Sequence, residues 1–160
     1  MTDRVNSEPP NVDGCGVLVV DDNPDLLRIL GRFLAGHGLR VDLAANGLAG
    51  LHLLDAHPEK YDLVLLDIHM PEPSGYEVLR QIRRSAHPGV QALPVLAMSG
   101  DEERAEAAGF DKLLKKPFAF DELIPAIARA LARHQTRQGA QNAFPGSTPS
   151  KTVSELKGPP

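Results

Sequence analysis

With a single cysteine, Cys15, among 160 residues, the chain cannot form an internal disulfide, so a stapled fold is excluded. Tryptophan is absent and tyrosine is reduced to two residues, so the core must be aliphatic. No apolar run approaches the roughly 20 residues that a membrane-crossing helix needs. The opening MTDRVNSEPPNVDG lacks the apolar stretch of a secretory signal. Positive charge is not in excess either: 17 Lys and Arg against 21 Asp and Glu leave a formal −4, which offers nucleic acid no overall electrostatic footprint. These absences point to a cytoplasmic protein with neither a membrane nor a nucleic-acid partner.

What is present is a chain with enough apolar residues, 42%, for one domain core. Residues 1–14 are polar and contain prolines, and are expected to be a disordered leader. Residues 135–160 carry Pro, Gly and Ser without apolar periodicity and read as a flexible tail. Within that tail, GSTPSKT fails as a phosphate-binding loop, because Ser150 stands where glycine must precede the lysine.

Between these ends, strand-like and helix-like segments alternate. GVLVV (16–20), LRVDLA (39–44), YDLVLLD (61–67), LPVLAMS (93–99) and DKLLKK (111–116) read as strands. Asn23-Pro24 supplies a cap and a first helical residue, and LLRILGRFLAGHG continues with helical spacing. Further helices are expected from Asn46 to about Ala56, over 75–85, over 102–108 and, after Pro117, over FDELIPAIARALARH. Pro125 in the last of these fits only near a first turn or at a kink. Five βα units with continuously apolar strands predict an α/β fold: a doubly wound, five-stranded parallel sheet covered on both faces.

In such a sheet the carboxyl ends of the strands share one edge, where ligands bind. Four of the five strands deliver a polar group there: Asp21-Asp22, Asp67, Ser99 and Lys116. Each alone has a plain structural reading. Asp21 or Asp22 could cap the first helix, Asp67 could favour a helix dipole, Ser99 could serve a turn, and Lys116 could be a solvated lysine. Together they form a constellation. Crowded carboxylates need a cation, and hard oxygen ligands with open positions suit Mg²⁺. A lysine and a hydroxyl add the donors that a phosphoryl group requires, and a carboxylate can itself be the nucleophile. Asp67, on the middle strand of the site, is the best placed for that role.

The motifs VLVVDDNP, VLLDIHMPEPSG, LPVLAMSG and KKPF, in this order, resemble those of the receiver domain of two-component response regulators. The resemblance covers roughly residues 15–134. It implies the flavodoxin-like strand order 2-1-3-4-5, an order shared with chemotaxis receivers. It also implies that Asp67 is the phosphoacceptor, and that Asp22 and Asp67 ligate Mg²⁺ directly with Asp21 helping through water. The backbone carbonyl of His69 would complete the protein ligands, Ser99 would hydrogen-bond the phosphoryl group, and Lys116 would pair with it. The Lys116-Pro117 bond would be cis. The phosphodonor would be a phosphohistidine on a histidine kinase or a histidine phosphotransfer protein, with an unknown protein as downstream target.

Two departures stand out. Leu113 occupies the position, three before the lysine, where the family often carries an aromatic switch residue. Only 17 positions separate Ser99 from Lys116, so the fourth helix and its loops should be short. The expectation is a single-domain response regulator that catalyses only its own phosphorylation and dephosphorylation and is not otherwise an enzyme. The rivals are a phosphorylation-independent scaffold and an Asp-nucleophile phosphatase. The latter type resembles a strand ending in Asp-x-Asp, whereas the second position here is His69. No Gly-x-Gly-x-x-Gly follows the first strand, which argues against a dinucleotide enzyme.

Overall fold

The computed structural model describes residues 11–100 and 108–142. Its elements are β1 (Gly16–Val20), α1 (Pro24–Gly36), β2 (Arg40–Ala44), α2 (Gly47–Ala56), β3 (Leu63–Asp67), α3 (Gly75–Arg83), a single turn α4 (Pro88–Gln91), β4 (Val95–Ser99), β5 (Lys112–Lys115) and α5 (Phe120–Asn142). All strand pairings are parallel and the order is β2-β1-β3-β4-β5, as expected.

Successive side chains of a strand point to opposite faces, and here both faces are covered. Val17 and Val19 of β1 and Leu63 and Leu65 of β3 pack with Leu30 and Leu34 of α1 and Leu123 and Ile127 of α5. Their neighbours Leu18, Val20, Val64 and Leu66 pack on the other side with Leu54 of α2 and Val78, Leu79 and Ile82 of α3. That two-sided burial is why these strands read as unbroken apolar runs. Each such side chain contributes about 1.5–3 kcal/mol by leaving water.

Local signals set the helix starts. The Asn23 side chain accepts from the backbone N–H of Asp25 and Leu26, with Pro24 in the first turn. Asn46 accepts from the N–H of Ala49. Ser74 and Glu77 form a reciprocal capping box at α3. Arg40 and its neighbours in edge strand β2 are tied to the chain before β3 by Asp42, which accepts from the Tyr61 hydroxyl at 2.6 Å and pairs with Lys60 at 2.7 Å. Those two partners, Lys60 first, hold the Asp42 carboxyl below its ordinary pKa.

The structure moves several boundaries. Val12 is buried against the core, and the Gly14 N–H donates to the Gly38 carbonyl at 2.8 Å, so residues 11–14 belong to the fold rather than to a leader. The turn α4 was not anticipated. α5 runs past His134 to Asn142, through residues assigned above to the tail. Apolar periodicity stops there, but Ala, Arg and Gln are strong helix formers and extend the helix without a buried face. Pro125 lies inside α5 with its ring exposed, on a helix already fixed by Leu123 and Ile127. The helix expected over 102–108 falls, apart from Ala108, outside the described residues, as do residues 1–10 and 143–160. Among the described residues, no helix is long and apolar enough to cross a membrane.

Candidate functional site

The carboxyl edge of the sheet gathers the acids. β1 ends at Val20, and the Asp21 N–H continues the ladder by donating to the Ala44 carbonyl at 3.1 Å. This pins Asp21 beneath the edge, fully buried, while Asp22 next to it is exposed. Neither acid caps α1, because Asn23 does. Asp67 closes β3 and is 4% exposed. It does not cap α3, because Ser74 does. The capping reading therefore fails for Asp21 and Asp22, and Asp67 is no cap either. Oxygen atoms of Asp21, Asp22 and Asp67 lie within 4.8 Å of one another.

Lys116 reaches this group from the end of β5. Its Nζ donates to Asp21 Oδ2 at 3.0 Å and stands 3.5 Å from Asp67 Oδ1. Its backbone N–H donates to the Ser99 carbonyl at 2.8 Å, fixing the strand end that carries it, and the Lys116-Pro117 bond is cis. Glu72-Pro73, beyond the expectations, is cis as well. Ser99 is buried at the end of β4, the strand that also pairs Met98 with Asp67. The structure therefore brings Asp21, Asp22, Asp67 and Lys116 together and sets Ser99 at the same edge. His69 contributes its backbone N–H, which donates to Asp67 Oδ1 at 3.2 Å, while its imidazole is exposed and no part of the acidic group.

The electrostatics follow from crowding. Burial, then the neighbouring Asp21 carboxylate, push the Asp67 carboxyl up to about 6, against the opposing pull of Lys116 and the His69 N–H. Three acids face one nearby ammonium, so the set carries surplus negative charge. Three hard oxygen donors, one of them open to water, with no thiolate or imidazole in the cluster, fit a small hydrated divalent cation such as Mg²⁺.

The loop leaving Asp67 holds a residue whose importance was not visible in the sequence. The Gly75 N–H donates to the Ile68 carbonyl at 3.0 Å, closing the loop on itself. A Cβ at Gly75 would stand 2.5 Å from the Asp67 carbonyl oxygen and 2.6 Å from Ile68 Cα. Backbone cannot yield as a flexible side chain does, so only glycine fits. Gly75→Ala is expected to cost about 1–3 kcal/mol by urea unfolding and to shift the carboxyl ¹³C resonance of Asp67. Gly89→Ala is the control: a Cβ there meets nothing within 4 Å, and both readouts should hold or improve. In the sequence, Gly75 is one breaker among Pro71, Pro73 and Ser74, and only three-dimensional proximity singles it out.

The position of Leu113 is also informative. It packs with Tyr76 and Phe110 against buried Ile68 and Ala97, and the Tyr76 and Phe110 rings meet edge to face at 6.0 Å. Two aromatics from other positions thus occupy the space beside Leu113.

The family model described as "Response regulator receiver domain" matches residues 17–128. The probable transcriptional regulatory protein SilR of Salmonella typhimurium is 38% identical over 122 residues, covering 75% of this chain and 52% of SilR. The transcriptional regulatory protein CusR of Escherichia coli is 39% identical over 119 residues, covering 73% of this chain and 51% of CusR. The chain thus spans about half the length of these curated relatives. Among solved structures, Vibrio cholerae chemotaxis protein CheY4 superposes with a TM-score of 0.65 at 24% identity, covering 73% of this chain and 98% of CheY4, a likeness of fold. NtrX from Brucella abortus superposes with a TM-score of 0.72 at 28% identity, over 81% of this chain and 30% of NtrX.

Proposed function

Because the chain belongs to the response regulator receiver domain family, we propose that it accepts a phosphoryl group on Asp67 from a phosphohistidine of a histidine kinase or phosphotransfer protein. The observation that carries this reading is the meeting of three carboxylates within 4.8 Å with the Lys116 ammonium 3.0 Å from Asp21 and 3.5 Å from Asp67. Members of this family are signalling proteins rather than conventional enzymes.

In the proposed reaction an Asp67 carboxylate oxygen attacks phosphorus. The bond from phosphorus to the donor imidazole nitrogen breaks, its electron pair stays on nitrogen, and an acyl phosphate results. Lys116, freed from part of its pairing with Asp67 as that oxygen becomes esterified, turns its charge to a phosphoryl oxygen. The Ser99 hydroxyl is the donor for a second oxygen. Asp22, Asp67 and the His69 carbonyl would hold Mg²⁺, with Asp21 acting through water, and the ion would neutralise charge on the phosphoryl oxygens. Asp21 also keeps Lys116 oriented through its buried carboxylate. Signalling would follow from a shift in packing near the site, passed on through protein contacts.

The test uses acetyl phosphate. With Mg²⁺ the chain should gain one phosphoryl group by intact mass, and with EDTA the gain should fall by at least about tenfold. Borohydride trapping and peptide mapping should locate it at Asp67. A metal-independent adduct, or none under any condition, contradicts the reading and favours a phosphorylation-independent scaffold.

A further inference from the structure

The charge of the whole chain hides a strongly cationic cleft at the opposite edge of the sheet from the acids. It measures about 300 Å³ and lies where the chain enters β4 and β5, against the second half of α5. Lys112, Arg129, Arg133 and Arg137 line it, with Phe110 and a single carboxylate, Asp111. Arg129, Arg133 and Arg137 recur every fourth residue of α5, so they share one helix face. They span about 12 Å at 1.5 Å per residue.

The one acid among these described residues is already committed. Asp111 Oδ2 accepts from Arg83 Nη2 at 3.1 Å, an arginine outside the cleft, and from the Val95 N–H at 2.7 Å. Among the described residues, only Arg137 approaches its other oxygen, at 3.9 Å, from a largely exposed position. Lys112, Arg129 and Arg133 pair with no acid among the described residues. Four cations against one acid leave the described lining at +3, in a chain of formal charge −4. Concentrating like charges at four-residue spacing works against the helix unless an anion offsets it.

We infer that this cleft binds a small polyphosphate, a ligand carrying at least two linked phosphates. Guanidinium groups present planar forks of N–H donors matched to phosphate oxygens. The volume lies at the lower end of small-molecule sites. Cations spread along 12 Å of helix favour a chain of phosphates over one orthophosphate. The linked-phosphate chemistry is common to inorganic polyphosphate and to nucleoside triphosphates.

The experiment is an NMR titration of the full chain without divalent ions, at matched ionic strength, with inorganic tripolyphosphate, a nucleoside triphosphate, orthophosphate and a glutamate-rich peptide. Tripolyphosphate should give saturable shifts at residues 110–112 and 129–137, at least tenfold tighter than orthophosphate. The double variant Arg129→Ala/Arg133→Ala should lose at least tenfold in affinity while keeping its circular dichroism spectrum and its uptake of phosphoryl from acetyl phosphate. Tighter binding of the nucleotide identifies a nucleotide source, and equal binding an inorganic one. Absence of saturation, undiminished affinity in the double variant, or preference for the acidic peptide overturns the assignment. The binding readouts do not involve Asp67, so failure here is separable from failure of phosphoryl acceptance.

Discussion

Asp67→Asn is expected to take up no phosphoryl group and, in the absence of divalent ions, to be more stable than the parent at neutral pH. The first effect follows from loss of the proposed nucleophile. The second follows from burial. The Asp67 carboxyl is pushed from 3.8 to about 6 in the fold, so the folded chain holds this proton more tightly than the unfolded one. Between those two values the native state binds more protons, and its stability falls as pH rises. Above pH 6 the penalty is complete, at most about 3 kcal/mol for a shift near two units. Asparagine fills the same space without the charge. The variant should therefore gain about 1–3 kcal/mol at pH 7.5 and lose that advantage near pH 4. Urea unfolding at both values reads it. A pH-independent difference would refute the electrostatic origin, and a retained adduct would refute the chemical role.

Lys116→Met should act in the opposite sense. Methionine keeps much of the side-chain volume but removes the ammonium 3.0 Å from Asp21 and 3.5 Å from Asp67. Asp21 is fully buried, so the loss leaves its carboxylate without the ammonium that offsets it. Removing one partner of a buried pair costs 3–5 kcal/mol, and the part exposure of Lys116 brings the expectation to roughly 2–3 kcal/mol. Millimolar Mg²⁺ should restore more stability to this variant than it adds to the parent, because the ion replaces the missing positive charge. An identical Mg²⁺ response in the two proteins would mean that the acids do not share a cation site.

The sheet was legible because strands buried on both faces leave continuous apolar runs, and because Asn23 and Asn46 announce the helices that follow. The acids were legible too, since strand ends converge at one edge once the sheet is parallel. Other features carry no such one-dimensional trace. Gly75 looks like any loop glycine until its neighbour is seen to be the backbone of Asp67 itself. The second half of α5 has no apolar stripe to betray it, and so read as tail. The cationic cleft escaped notice because a summed charge of −4 averages over the chain, whereas Lys112 joins the three arginines only through folding. The packing beside Leu113 likewise draws on Tyr76 and Phe110, far apart along the chain.

The closed loop between Ile68 and Gly75 has a mechanical consequence. With its ends latched by one 3.0 Å hydrogen bond and no free space at Gly75, the loop couples the Asp67 backbone closely to the first turn of α3. A partner that grips the start of α3, or a substitution that tilts it, would therefore pull on Asp67 directly. If Asp67 accepts phosphoryl as proposed, its reactivity would be open to tuning from the outside of the molecule by a side chain that never touches phosphorus.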